Sequence, residues 1–405
     1  MSASPGPTDD HPAPTPAGDA TGPLRSDATA LSAVIDLLGP EHGSGGATRR
    51  YAVLPSRRHP RYLLPTTGRA GVGAHLRPGT GRRASALRWA VRRALWLGAG
   101  RVLPGGVDVF DGTSAQPGLR RHMADVLGRE RVEVAIALGG PRPNRKPVIQ
   151  VLSEGGATLA WAKLGVDSHT DALVAHEIGA LTKRLPPPVV APEVLATSTW
   201  REHPLLILGH MEMTESAGDL RLTPEVIAAL AGPVTREPAT GSAWWERLRD
   251  ATDGAPDPDG AVAARLDALG ARLGDRSWPF ARWHGDLAPW NATWDGDRFQ
   301  VWDWERSGGP VPLGLDAVHN AMQVALFRDG LALDNAATGA EAQTSDILSA
   351  LGYARDEAAL VVDSYLATLR VRYAADARLG SLGVGDRVVA ALDASASTAR
   401  RSTAP

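Results

Sequence analysis

Residues 281–305 read Ala-Arg-Trp-His-Gly-Asp-Leu-Ala-Pro-Trp-Asn-Ala-Thr-Trp-Asp-Gly-Asp-Arg-Phe-Gln-Val-Trp-Asp-Trp-Glu. Two short apolar runs flank the turn Asp295-Gly296-Asp297, the pattern of a tight β-hairpin. A hairpin closes its two ends on each other, which brings Asn291 and Asp303 side by side with Asp286 adjacent. An amide oxygen and a carboxylate are hard donors of the kind Mg²⁺ takes, with water and phosphate oxygens filling the octahedron. Asp286 is then left to accept a proton from an attacking hydroxyl. Such a set serves phosphoryl transfer, where catalysis is mostly positioning and charge neutralisation.

The string HGDLAPWN followed by WDWE resembles the catalytic signature of the aminoglycoside phosphotransferase and choline kinase superfamily, a branch of the protein-kinase-like fold, whose pattern is H-G-D-x-x-x-x-N and then I-D-W/F-E. The resemblance implies that Asp286 is the catalytic base, that Asn291 and Asp303 are metal ligands and that His284 braces the catalytic loop. Glu305 matches an acidic position whose role stays open. Pro312-Leu313-Gly314-Leu315-Asp316 resembles the family's Pro-x-x-x-Asp, with Asp316 expected to cap a helix or brace the loop. The implied reaction moves the γ-phosphoryl group of ATP, with Mg²⁺, to a hydroxyl of an aminoglycoside, amino alcohol or sugar-like acceptor; GTP remains open as donor.

Working outward, the segment before this stretch has the order of parts that such a fold requires. VEVAIALGG, KPVIQVLS and TLAWAKLG are three β-type runs starting near residue 132, and a helix is expected over about 170–184, ended by Pro186-Pro187-Pro188. PEVLATSTW and HPLLILGHME follow as two more strands. Lys163 lies in an otherwise apolar strand, where an unpaired ammonium is costly. Pairing with Glu177 on the helix and with nucleotide phosphates removes that cost; the alternative puts Lys163 on a solvent face and Glu177 on an exposed helix face. Gly139-Gly140 falls where a phosphate-covering turn belongs, but Pro141 and Pro143 remove backbone donors and the G-x-G-x-x-G pattern is absent. Arg142 and Arg145 are alternative phosphate contacts or exposed turn charges. Gly209 and Met211 fall at the expected interlobe hinge, where backbone groups meet adenine.

The expected architecture is α+β and bilobal: a small antiparallel-sheet lobe over 131–212 and a mainly helical large lobe over 213–395. Helices are expected at about 224–230, 243–250, 261–273, 315–327, 344–351, 357–374 and 384–394. Residues 1–27 and 396–405 read as flexible tails, the first rich in Pro, Ala, Gly and Asp. Residues 28–130 form an arginine-rich extension, containing a hairpin over 51–65 and a helix over 84–98 whose buried face is expected to be Leu87, Val91, Leu95 and Trp96. From His42 to Val107 the chain has 13 arginines and no acidic residue. Lysine occurs three times in all, as Lys146, Lys163 and Lys183.

The totals exclude little, with a formal net charge of −2 and 43% hydrophobic residues. No stretch approaches the roughly 18–20 apolar residues of a membrane span, no signal-peptide pattern opens the chain, and cysteine is absent. A cytoplasmic protein acting on a small molecule is the expectation, with no membrane partner. A metal-dependent hydrolase built on His284, Asp286 and Asp303 lacks supporting histidines. A pseudokinase-type binding or scaffold protein is the alternative that the irregular glycine turn favours and the intact Asp286, Asn291, Asp303 and Lys163 oppose. Nucleic-acid binding by the basic segment has no motif behind it.

Overall fold

The structure is a computed structural model, and it describes residues 24, 26–40, 47–66, 69–74, 82–103, 105–113, 115–212, 220–253 and 261–378. The expected helix over 384–394, the C-terminal tail and the N-terminal tail up to residue 23 lie outside the described residues. In chain order the strands are β1 (Thr48–Pro55), β2 (Pro60–Pro65), β3 (Val107–Phe110), β4 (Glu133–Ala137), β5 (Val148–Leu152), β6 (Thr158–Leu164), β7 (Val189–Val190), β8 (Val194–Trp200) and β9 (His203–Gly209). The large lobe adds β10 (Thr235–Pro238), β11 (Ser277–Trp283), β12 (Ala292–Asp295), β13 (Arg298–Val301) and β14 (Gly308–Pro312).

Eight strands form one antiparallel sheet in the order β3-β1-β2-β4-β5-β6-β9-β8. Its β4-to-β8 part is the expected small lobe, and the helix Ser168–Leu181 packs beside it. Asp167 caps that helix, its carboxylate accepting from the Thr170 N–H at 2.8 Å. Thr170, Leu173, Val174 and Glu177 are its buried positions. Their i, i+3, i+4, i+7 spacing is one helical face, so Glu177 belongs to the packed stripe.

The arginine-rich segment continues this sheet. The hairpin of β1 and β2 forms as its sequence indicates, with Tyr51 opposite Pro65 and Leu54 opposite Tyr62. Strand β2 then pairs with β4 through Tyr62–Ala137 and Leu63–Ile136. The helix Asp27–Leu38 buries Ala30, Val34 and Leu38. Arg145 locks the arrangement with a side chain shielded from solvent: its guanidinium donates to the carbonyls of Leu24, Ser26, Pro60 and Leu138 and to Asp27 at 2.9 Å. Arg145 is therefore neither an exposed turn charge nor free to reach a phosphate.

Two expectations need correction. In the helix Arg82–Trp96 the buried positions include Val91 and Leu95, but Trp96 is 63% and Trp89 69% exposed. The stripe that packs is too narrow to take in either tryptophan, and Arg93 stacks over the Trp96 ring instead. The helix expected from Thr344 starts eleven residues earlier, spanning Leu333–Ala350. Asn335, Thr338 and Gly339 are weak helix formers, and burial of Ala336 and Ala340 overrides them.

The large lobe packs Trp244, Trp278, Phe280, Val318, Met322, Val361 and Tyr365 into one core. The helices Pro224–Ala231, Ala243–Asp253, Ala261–Leu273, Leu315–Gln323 and Ala358–Arg378 surround two small sheets. In one of these, β12 and β13 make the anticipated hairpin, Ala292 opposite Val301 and Asp295 opposite Arg298. Parallel pairing of β13 with β7 ties that hairpin to the chain leaving the small lobe. No helix among the described residues is long and apolar enough to cross a membrane.

Candidate active site

The loop between β11 and β12 carries His284, Gly285, Asp286 and Asn291. Gly285 has φ of 82°, and a Cβ there would lie 2.3 Å from the Arg306 carbonyl oxygen, so only glycine fits between the two chains. The Asp316 carboxylate accepts from the His284 N–H at 2.7 Å and the Gly285 N–H at 2.9 Å. Arg372 donates to the Gly285 carbonyl at 2.6 Å. Asp316 thus braces this loop from the start of the helix Leu315–Gln323.

His284 is fully buried. Its Nδ1 accepts from the Asp286 N–H at 3.3 Å, and its Nε2 lies 3.2 Å from the Trp302 carbonyl, to which it donates. Burial pushes its pKa down, against the pull of Asp316, Asp286 and Asp303. A neutral Nε2–H tautomer satisfies both contacts, and the ring links the loop to the residue preceding Asp303.

The Asn291 amide donates to the Asp286 carbonyl at 2.9 Å and to Asp286 Oδ2 at 2.8 Å. With both amide hydrogens committed, its Oδ1 is the atom left to face a cation. The Trp302 N–H donates to the Asn291 carbonyl at 3.0 Å, so the hairpin does bring the two ends together. Asp286 Oδ1 lies 3.3 Å from His319 Nε2, a partner the sequence reading missed. Burial raises the Asp286 pKa, but the neighbouring His319 outweighs it and holds the carboxyl below its ordinary value.

Across the cleft, Lys163 projects from β6 and contacts Glu177 and Asp303, each at 2.6 Å. Glu177 is fully buried, and it also accepts from the Trp304 N–H at 3.1 Å. One glutamate therefore holds both the lysine and the turn after Asp303. Burial alone would depress the Lys163 pKa; Asp303, Glu177 and Glu305 reverse this and raise it above the usual lysine value. Burial works to raise Asp303, but Lys163 and Lys146 bring it well below the ordinary carboxylate range. Asp303 sits at φ 72°, a left-handed conformation an aspartate tolerates better than most side chains.

Glu305 acquires a role here. It pairs with buried Lys146 and accepts from the Asn144 amide at 3.1 Å, fastening the end of the glycine turn to the loop that bears Asp303. Carboxylate oxygens of Glu177, Asp303 and Glu305 lie within 4.8 Å of one another. Two lysines already sit in that cluster, so the donors that suit Mg²⁺ are Asn291 Oδ1 and the Asp303 oxygen not bonded to Lys163.

The remaining predicted positions lie at the cleft's edges. Gly139 and Gly140 are exposed, Gly139 at φ 64°, and a Cβ on Gly140 would meet nothing within 4 Å. Arg142, in the same turn, is near enough to help lower the Asp303 pKa. Gly209 ends β9 with its N–H given to the Glu193 carbonyl at 2.8 Å. Met211 follows, half-buried.

The polar stripe Asp316, His319, Asn320, Gln323 was readable in principle as four polar residues at i, i+3, i+4 and i+7. In sequence it looks like an ordinary solvated face, and only the burial of the whole helix gives it meaning.

No protein-family model matches this chain, and no curated protein sequence does. Among solved structures the chain is similar to aminoglycoside phosphotransferase APH(4)-Ia in ternary complex with ADP and hygromycin B, at 15% identity and TM-score 0.45, over 71% of this chain and 99% of that one. It is also similar to a protein described as a fructosamine-3-kinase from Thermobifida fusca, at 21% identity and TM-score 0.36, over 62% and 98%. A choline/ethanolamine kinase family protein from Mesorhizobium loti overlaps it at 15% identity and TM-score 0.38, over 66% and 87%.

Proposed function

We propose that this protein is an ATP- and magnesium-dependent phosphotransferase that moves the γ-phosphoryl group to a hydroxyl of a small molecule. The observation that carries the reading is the meeting of two separately built groups across one cleft. Lys163 and Glu177 come from the small lobe, Asp286 and Asn291 from the catalytic loop, and Asp303 touches the first pair at 2.6 Å.

Asp286, kept ionised, accepts the hydroxyl proton as the acceptor oxygen bonds to phosphorus and the bond to the β–γ bridging oxygen breaks, releasing ADP. General-base assistance of this kind is worth about 10²–10⁴-fold. Lys163, oriented by Glu177, exchanges part of its contact with Asp303 for phosphate oxygens. Asn291 and Asp303 would hold Mg²⁺, which supplies neutralisation of phosphate charge when bound. Because the Gly209 N–H is already used, purine recognition falls to the backbone of His210 and Met211. Arg142 is the side chain of the glycine turn best placed to compensate for the donors that its prolines remove.

Thermal unfolding with and without MgATP tests the reading. A ligand at a hundred times its dissociation constant stabilises by about 2.7 kcal/mol, several degrees for a chain of this size. Wild type should gain this with MgATP, and Asp303→Ala should lose it. Asp286→Ala should keep the shift and lose ATP turnover. Absence of any shift in wild type with either ATP or GTP and Mg²⁺ overturns the proposal; binding without turnover by any acceptor or water supports a pseudokinase-type role instead.

A further inference from the structure

Every residue of the helix Leu315–Gln323 is buried, including Asp316, His319, Asn320 and Gln323 on its polar stripe. Buried polar groups persist where they are bonded, and three of these four face one way, toward the catalytic loop and what stands behind it. Asp316 takes the N–H groups of His284 and Gly285. Asn320 donates to the Leu287 carbonyl at 3.4 Å. His319 places Nε2 3.3 Å from Asp286 Oδ1 and Nδ1 3.0 Å from the Tyr365 hydroxyl. Gln323 ends the same buried stripe.

The polarity of this chain follows from what each group can do. His319 Nε2 stands 3.3 Å from the Asp286 carboxylate, which when ionised can only accept, so the hydrogen of a neutral ring belongs on Nε2. The phenol hydrogen is then directed to Nδ1 of His319. An imidazole that accepts at Nδ1 carries its hydrogen on Nε2. Nε2 is buried and makes no aligned hydrogen bond in this structure, with Asp286 Oδ1 facing it at 3.3 Å.

We infer that His319 is a positioning residue for the base: the Tyr365 hydroxyl at Nδ1 leaves the ring hydrogen on Nε2, where Oδ1 of Asp286 is the acceptor beside it. Asn291 holds Oδ2 of the same carboxylate at 2.8 Å. The base is bonded at one oxygen and flanked at the other, which restricts rotation about its last side-chain bond. The lone pair that receives the hydroxyl proton is thereby set in advance. Small misplacements of a reacting group can reduce rate about 10²-fold, so the catalytic consequence is an effect on kcat. That consequence rests on the phosphotransferase reading; the tautomer does not.

Long-range ¹H–¹⁵N correlations of the histidine rings in the full chain give the first readout. The chain has 11 histidines, so the His319 signals are assigned by their loss in His319→Gln. An Nε2–H tautomer is expected in wild type, with Tyr365→Phe shifting the ring toward a mixture. An Nδ1–H tautomer in wild type, or one indifferent to Tyr365→Phe, overturns the inference.

The second readout is hydrolysis of MgATP with water as acceptor. His319→Leu should lower kcat about 10–100-fold with the KM for ATP unchanged. His319→Gln, whose amide N–H reaches about where Nε2–H stands, should recover most of it. Equal losses in the Gln and Leu variants, or a folded Leu variant with undiminished kcat, overturn the inference. Should the Leu variant fail to fold, the Tyr365→Phe tautomer decides. An Nε2–H ring in a wild type that neither binds nor turns over ATP leaves His319 as assigned and removes the phosphotransferase reading. Turnover with an Nδ1–H ring does the reverse.

Discussion

Lys163 meets Glu177 and Asp303 through side chains alone, each contact 2.6 Å long, whereas the loop carrying Asp286 is held by hydrogen bonds to its backbone. Its N–H groups go to Asp316 and His284, and its carbonyls take hydrogens from Arg372, Asn291 and Asn320. The small-lobe side of the cleft is a charge cluster in which each member exists because of the others. The large-lobe side is a distributed network in which each bond does a fraction of the work. The two should fail differently. A cluster loses everything with one charge, because the partners left behind are buried and uncompensated. A network loses about 1 kcal/mol per neutral bond and more where a buried donor is orphaned.

The largest effect is therefore expected from Lys163→Met. It leaves Glu177 and Asp303 facing each other without the cation they share, and should cost about 3–5 kcal/mol of stability. MgATP binding should go as well. Urea unfolding of the apo protein reads the first effect and thermal shift the second. A loss below about 1 kcal/mol would mean the two carboxylates find another partner, with Lys146 the obvious substitute, and would erase the contrast between the two sides.

Asp316→Ala probes the network at its most concentrated point. One carboxylate serves two buried backbone donors there, so the expected loss is about 2–3 kcal/mol, smaller than for Lys163. Because the change loosens the catalytic loop and leaves the small lobe alone, the MgATP thermal shift should survive while turnover falls. Asp316→Asn keeps one acceptor and should lie between. Equal losses of nucleotide binding in Asp316→Ala and Lys163→Met would show the two sides to be one cooperative unit, joined through Glu177 and the Trp304 N–H.

How much of this could be read in the sequence follows the same division. The hairpin that unites Asn291 and Asp303 is local, encoded by an Asp-Gly turn and short flanking strands, and it forms where the turn indicated. The pairing of Lys163 with Glu177 was legible because a lone lysine in an apolar strand needs a partner and the next helix offered one. His319 was not legible, since its meaning depends on Tyr365, 46 residues away, and on the burial of a whole helix. Nor was the continuation of the sheet through β2 and β4: strand order is fixed by contacts between segments about 70 residues apart, which periodicity does not report. Trp96 was misjudged because a helical apolar stripe gives direction but not the width of the surface it meets.

Asp27 offers the smallest and most specific test, at a third place where charge holds structure. Here the N-terminal helix is tied to the sheet by a partly exposed version of the Lys163 cluster. Asp27 takes bonds from Arg61 at 2.6 Å and Arg145 at 2.9 Å. The Arg61 hydrogen bond, with help from His59 and Arg145 and against partial burial, lowers its pKa from 3.8 to about 2. A carboxylate depressed on folding stabilises above its unfolded value and loses that contribution as pH falls through its folded one. Wild type should therefore exceed Asp27→Asn by a steady margin from neutral pH down to about 4, with the gap closing between about 4 and 2. The margin should be about 2 kcal/mol, the linkage equivalent of that shift at about 1.4 kcal/mol per pKa unit, and it stays below the Lys163 loss because Arg145 keeps four carbonyl partners, at Leu24, Ser26, Pro60 and Leu138, when the carboxylate is gone. That retention separates this site from the Lys163 cluster: a buried cation among backbone carbonyls survives the loss of its counter-ion, while a carboxylate pair across a lysine does not. Acid titration of urea stability in the two proteins measures the margin. A gap that stayed constant to pH 2 would assign Asp27 a packing role and leave Arg145 to hold the helix through carbonyls alone.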